Sequence, residues 1–193
     1  MADSSIDFPG DVVIGPTGPS GPTGPTGPTG PGTGDYEFVS TVVISDDASI
    51  EYQDIPSGYD YIYYFENLKP ANDDVDIYAQ TSPDAGGSPV YDAGTSYSDQ
   101  RGAAQSAVAI FRGLGSTGGE CMTVSFWLFN PGGTGFTLMK SQGTALNISG
   151  NSVNADNYHG VRHSEAVVQA IKFTTESGNL ESGNIHLFRR KLT

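Results

Sequence analysis

After Asp35, apolar and polar residues alternate with a period of two over much of the chain. Met122, Val124, Phe126 and Leu128 fall on one face of a run whose other face carries Thr123 and Ser125. Ile171 and Phe173 alternate in the same way with Lys172 and Thr174. Successive residues of an extended strand point to opposite sides, so this period predicts strands with one buried face. Strands are expected over 36–45, 59–68, 74–80, 104–112, 121–130, 135–141, 144–149, 166–175 and 184–190. Turn sequences separate them, among them Pro56-Ser57-Gly58, Pro83-Asp84-Ala85-Gly86-Gly87, Gly118-Gly119, Asn130-Pro131-Gly132-Gly133, Ser149-Gly150-Asn151 and Ser177-Gly178-Asn179. Glycine supplies the positive φ such turns need, and proline presets φ at the turn entry. No stretch joins a helix cap to a 3.6-residue period. Residues 35–193 are therefore expected to form an all-β domain, an antiparallel β-sandwich of jelly-roll type.

Two runs depart from simple alternation. In 59–68, Tyr59, Tyr61, Tyr63 and Phe65 alternate with Ile62, Tyr64 and Leu68; in 121–130, Trp127 and Phe129 stand opposite the Met122 face. A sandwich strand with one wet face should not be apolar on both sides. Burial of the second face against neighbouring subunits accounts for it, and a loop covering the sheet is the alternative.

The N-terminal stretch has a different period. Gly15, Gly18, Gly21, Gly24, Gly27 and Gly30 recur every third residue, each followed by proline, with threonine or serine in the third place up to Thr29. The phase is lost after Gly30. Proline presets the polyproline II conformation, and three such chains wind together only if every third residue lacks a side chain at the crowded axis. A flexible spacer needs no strict period. Residues 15–34 are thus expected to be a collagen-like triple-helical stalk, with those six glycines at its axis; at ~3.1 Å per residue the repeat would span roughly 55 Å. So short a triple helix needs the C-terminal domain to hold three chains together, and the whole is expected to be a homotrimer. Residues 1–14 carry a small apolar cluster (Phe8, Val12, Val13, Ile14) too short to make its own core, and are expected to dock on a partner protein.

Charge narrows the partners. The net charge is −13, and eleven acidic residues precede the first basic one, Lys69. A polyanion such as nucleic acid, or an anionic membrane surface, is not an expected partner. No apolar run approaches the ~20 residues of a spanning helix, and the start MADSSIDFPGD lacks the basic and apolar regions of a signal peptide. A single cysteine, Cys121, allows neither an intrachain disulfide nor a cysteine-based zinc site.

Few residues suggest chemistry. Gly113-Leu-Gly115-Ser-Thr-Gly118 has the spacing of a dinucleotide loop, but a strand rather than a helix follows it, so no helix N-terminus awaits a pyrophosphate. His159 and His163 could hold a metal on a threefold axis, and Asp73, Asp74 and Asp76 offer hard oxygen ligands for Ca²⁺, although the calcium-loop pattern is absent. Neither is the expected role: the histidines are read as exposed loop residues and the aspartates as a solvated turn. No nucleophile elbow, zincin or phosphate-loop pattern occurs, so no enzyme activity and no cofactor are expected. The long segments 81–101 and 150–165, rich in Tyr, Asn, Asp and Gly, are read as surface loops; Tyr91, Tyr97, Tyr158, His159 and Arg162 are the candidate contacts with a surface glycan or protein.

The stretch Phe173-Thr-Thr-Glu-Ser-Gly-Asn-Leu-Glu-Ser-Gly-Asn-Ile-His-Leu-Phe188 resembles the closing hairpin of many phage structural proteins, and Ile55-Pro-Ser-Gly58 with Tyr59–Leu68 resembles their early strand. Phe188 stands where tyrosine is usual there, and Arg189-Arg190-Lys191-Leu192-Thr193 runs past the usual stop. Gly-Pro-Thr triplets before a β head are similar to phage tail or head fibres, and also to collagen-like spore-coat glycoproteins that end in a tumour-necrosis-factor-like jelly roll. The resemblance implies a virion location, an N-terminus docked to another virion protein and a head that attaches to the host surface. A capsid or baseplate component without a receptor role, and a spore or cell-surface protein, are the other classes it admits.

Overall fold

The computed structural model describes residues 35–99, 104–133, 135–147 and 152–192. The chain divides into two units, Met1–Gly30 and Pro31–Thr193, and everything described belongs to the second. The stalk glycines Gly15, Gly18, Gly21, Gly24, Gly27 and Gly30 and the docking residues Phe8, Val12, Val13 and Ile14 lie outside the described residues.

Twelve strands are described: β1 (Glu37–Asp47), β2 (Ser49–Tyr52), β3 (Tyr59–Pro70), β4 (Val75–Ser82), β5 (Tyr97–Asp99), β6 (Ala104–Gln105), β7 (Val108–Leu114), β8 (Cys121–Phe129), β9 (Leu138–Asn147), β10 (Ser152–Arg162), β11 (Ala170–Thr175) and β12 (Leu180–Lys191). They form an eight-stranded sheet, β1-β12-β3-β8-β9-β10-β5-β6, and a four-stranded sheet, β2-β11-β4-β7. Every pairing is antiparallel. The all-β antiparallel expectation is met, and the described residues include no helix long and apolar enough to cross a membrane.

The two-residue period decides which side chains meet between the sheets. Tyr61, Tyr63 and Phe65 of β3, Val124, Phe126 and Leu128 of β8, Ile77 and Ala79 of β4 and Ile171 and Phe173 of β11 are all buried in one core. Phe173 is its hub: its ring meets Tyr63 at 4.9 Å, Phe65 at 5.0 Å and Phe126 at 5.7 Å, each edge to face. Such geometry sets the positive ring edge against the negative ring face.

Glycine is required where backbones crowd. Gly183 sits in the irregular pairing of β12 with β3 at φ 129°, where a Cβ would stand 2.8 Å from the Leu68 Cα. At Gly160 of β10, a Cβ would drive into the Val108 side chain of β7 at 2.6 Å, so this glycine lets the large sheet approach the free edge of the small one.

Several expected boundaries are corrected. The runs 135–141 and 144–149 are one strand, β9. The run 104–112 splits between the two sheets, as β6 and β7. Most of 150–165, expected as a loop, is β10, paired with β9 from Ser152 to Val161. Within 81–101, Tyr97–Asp99 is a strand rather than loop.

Candidate functional site

Two outward faces carry the chemistry, one on each sheet. On the eight-stranded sheet, strand register aligns Phe38, Phe188, Ile62, Trp127, Lys140 and His159 in one row across six strands. Phe38 packs edge-on against Phe188 at 5.7 Å, and the Lys140 ammonium lies 5.1 Å from the Trp127 ring centre. A cation over an aromatic face is attracted by its quadrupole. Phe129, Leu138 and Val161 extend the apolar surface in the next row. Phe38 remains 60% exposed and Leu138 52%. Of the second face of the doubly apolar strands, Ile62, Trp127 and Phe129 lie on this surface, whereas Leu68, beyond an irregularity in the β3–β8 pairing, turns into the core.

Beside that row sits a polar cluster. The His186 Nε2 lies 3.2 Å from Glu66 Oε2, and its Nδ1 lies 2.8 Å from Thr41 Oγ1. A carboxylate can only accept, so Nε2 carries the proton that faces it. Asn184 Nδ2 donates to the same Glu66 oxygen at 3.2 Å, and Tyr64 stacks on the imidazole at 6.0 Å. Hydrogen bonds from His186 and Asn184 hold the Glu66 carboxyl below its ordinary pKa.

The four-stranded sheet turns a polar face outward. Register sets Ser49, Thr174 and Tyr78 in one row, and Glu51, Lys172 and Gln80 in the next. A cleft of about 280 Å³ opens there, lined by Tyr78 and Gln80 of β4, Thr174 of β11, Glu176 just beyond it, and Gln105 and Ser106 between the sheets. Gln80 Nε2 donates to the carbonyls of Asp92 and Ser106 at 3.2 and 3.1 Å. That commits both amide hydrogens and leaves the Gln80 carbonyl oxygen as its remaining polar atom. Tyr78 donates its hydroxyl to Asp76 at 3.0 Å; burial and then the Asp76 carboxylate push its pKa up to about 12.

The sequence candidates separate in space. Tyr91 is half-buried under the Lys172 ammonium, 4.4 Å from its ring centre, and Tyr158 stacks beneath the Arg112 guanidinium at 5.4 Å. His159 is exposed on the outer face of β10. Tyr97 and Arg162, expected at the surface, are buried at 0% and 1% exposure. Arg162 Nε donates to Asp92 Oδ2 at 2.6 Å and its Nη1 to the Ala166 carbonyl at 2.5 Å; the Tyr97 hydroxyl accepts from the Thr81 amide at 2.7 Å. A buried guanidinium needs such partners, and they leave it nothing to offer a receptor.

The metal candidates do not converge. His159 and His163 lie four residues apart along an extended segment, about 13 Å of chain, and His163 is bonded to Ser98. Asp73 Oδ1 accepts the Ser116 amide at 3.0 Å and Asp76 Oδ1 the Gly113 amide at 3.0 Å, so these carboxylates fasten the end of β7 and the residues after it to the start of β4 and the turn before it. Among the described residues no three His, Cys, Asp or Glu side chains gather as a metal centre would require. The Gly113–Gly118 segment runs from the end of β7 into the β7–β8 connection, and Gly113 takes φ 62°.

Fold and faces together define an all-β antiparallel protein with an apolar row on the outer face of its large sheet and a polar outer face on its small one. No family model, curated protein or solved structure matches the chain.

Proposed function

We propose that this chain is a structural subunit of a homotrimeric virion fibre, in which residues 15–34 form a collagen-like stalk and the β domain is a trimeric jelly-roll head for attachment to the host surface. The observation that carries the reading is the apolar row Phe38–Phe188–Ile62–Trp127 on the outside of the eight-stranded sheet. A monomer would leave it partly wet, with Phe38 exposed and the other three half-buried, whereas neighbouring copies would bury it, and contiguous apolar surface of this kind marks association sites. The glycine period supports the same stoichiometry from a separate part of the chain, because only three strands need a side-chain-free axis. The alternation of chain positions between the orders β1-β12-β3-β8 and β2-β11-β4-β7 supports the jelly-roll assignment. Residues 1–14 anchor the fibre to another virion protein, and the head faces outward. The reading gives the chain no catalytic task.

Sedimentation equilibrium of the intact chain tests this: the expected mass is three chains, and a monomer or dimer ends the proposal. Antibody against the head should also label purified virions; labelling of bacterial spores instead would move the protein to the spore-coat class.

A further inference from the structure

We propose that the cleft on the outer face of the four-stranded sheet binds a neutral saccharide of the surface to which the head attaches. The inference rests on the fibre reading for the place of that surface, but its chemistry stands on the cleft. The lining is made of hydroxyl and amide groups with one aromatic ring: Tyr78, Gln80, Gln105, Ser106 and Thr174. A pyranose presents the complement, hydroxyls around its rim and an apolar C–H face that packs on an aromatic ring.

Other ligand classes fit less well. An apolar ligand would find only Ala107 beside the Tyr78 ring. An anionic ligand would meet Glu176 in the lining, Asp76 bonded to Tyr78, and a chain of net charge −13. The nearby cations are engaged: Lys172 lies over Tyr91, and Arg112 lies 3.6 Å from Asp76. The volume, about 280 Å³, is at the low end for small-molecule sites, which suits one or two sugar rings rather than a long chain. The site is also preorganised. Gln80 is fixed by two backbone carbonyls from different segments, and Tyr78 by Asp76, so little side-chain freedom is lost on binding. Three copies on one head would turn shallow, individually feeble sites into useful avidity.

The test uses the intact chain on immobilised neutral hexose and N-acetylhexosamine oligosaccharides, with a polyuronate as the acidic comparison. Binding to a neutral oligosaccharide is expected, lowered at least tenfold by Tyr78→Ala and by Thr174→Trp, which fills the cleft from an outward-facing position. Both variants are checked for unchanged mass by sedimentation and unchanged melting temperature, and Glu165→Trp, in the exposed connection between β10 and β11 and outside the cleft lining, serves as a control with binding retained. Absence of neutral-sugar binding at roughly 10 mM, binding to the polyuronate alone, or full binding by folded Thr174→Trp overturns the proposal. A chain that binds the sugar but sediments as a monomer overturns the fibre reading and leaves this one standing.

Discussion

Phe173 touches three core rings at 4.9 to 5.7 Å and has no exposed surface, so its neighbours cannot close the space it would leave. Phe173→Ala is expected to cost about 3–5 kcal/mol in urea unfolding. Tyr63 stands beside it with the opposite prospect. Its hydroxyl is buried without a hydrogen-bond partner, and burial raises its pKa well above the ordinary phenol value. An unpaired buried hydroxyl has lost its water bonds with nothing in return. Tyr63→Phe should therefore leave stability unchanged or raise it by up to about 1 kcal/mol; a loss beyond that would mean the hydroxyl is partnered. On the outer face, Glu66 carries a pH dependence. Its folded pKa is depressed by His186 and Asn184, so the stability it adds is complete above the unfolded carboxyl value, about 4.3, and disappears as pH falls through the lower folded value. Carboxyl NMR of the native protein should place its midpoint below about 4.3, and His186→Ala should bring it back up; a midpoint at or above the ordinary value in the native protein would refute the pairing.

At the scale of elements, the clearest strands were those whose core face is dense in aromatic and aliphatic residues, such as β3, β8 and β11. The missed ones have other reasons for their residues. β9 looked broken at Gly143, but that glycine faces Val124 across the ladder, where a Cβ would stand 2.3 Å from Val124 Cγ2; it serves close strand approach rather than a turn. β10 reads as loop because Asn154, Asp156 and Asn157 are poor strand formers, and pairing with β9 and β5 overrides that preference. The 104–112 run reads as one strand but changes sheets near Ser106, and local pattern carries no information about sheet membership. Site residues were legible only as far as their partners were local. Arg162 looked free because its counter-charge, Asp92, lies 70 residues earlier. The cleft likewise draws on β4, β11 and the end of β6 with the residues after it, which no window of sequence unites. The Arg162–Asp92 pair ties the β4–β5 connection to the end of β10, and Asp92 also accepts from Thr81 Oγ1 at 3.1 Å. Asp92→Ala strands a buried guanidinium and should cost about 3–5 kcal/mol. Joint replacement, Arg162→Met with Asp92→Leu, should cost less than the single change, because no unpaired charge remains. Equal or greater loss in the double variant would show that the pair acts through packing alone.

At the scale of the whole molecule, the two outer faces make opposite demands. The large sheet spends Trp127, Ile62, Phe188 and Phe38 on a surface that the described fold leaves partly wet, while the small sheet spends Thr, Gln, Lys and Glu on its own. If the first face joins subunits and the second stays in solvent, charge placed on them must act differently. Ile62→Lys or Trp127→Lys would put an ion where neighbouring copies exclude water, the second beside the Lys140 ammonium, a penalty of several kcal/mol at each of three interfaces. Neither position belongs to the core that Tyr61, Tyr63, Phe126 and Leu128 fill, so each variant should keep its β circular dichroism and a cooperative unfolding transition. The expected result is a folded single chain by sedimentation. Thr174→Lys, on the small sheet, should sediment with the mass of three chains at the same concentration. Three-chain mass in both large-sheet variants would show that the subunits meet elsewhere, and dissociation by Thr174→Lys would place the interface on the polar face and remove the cleft from solvent.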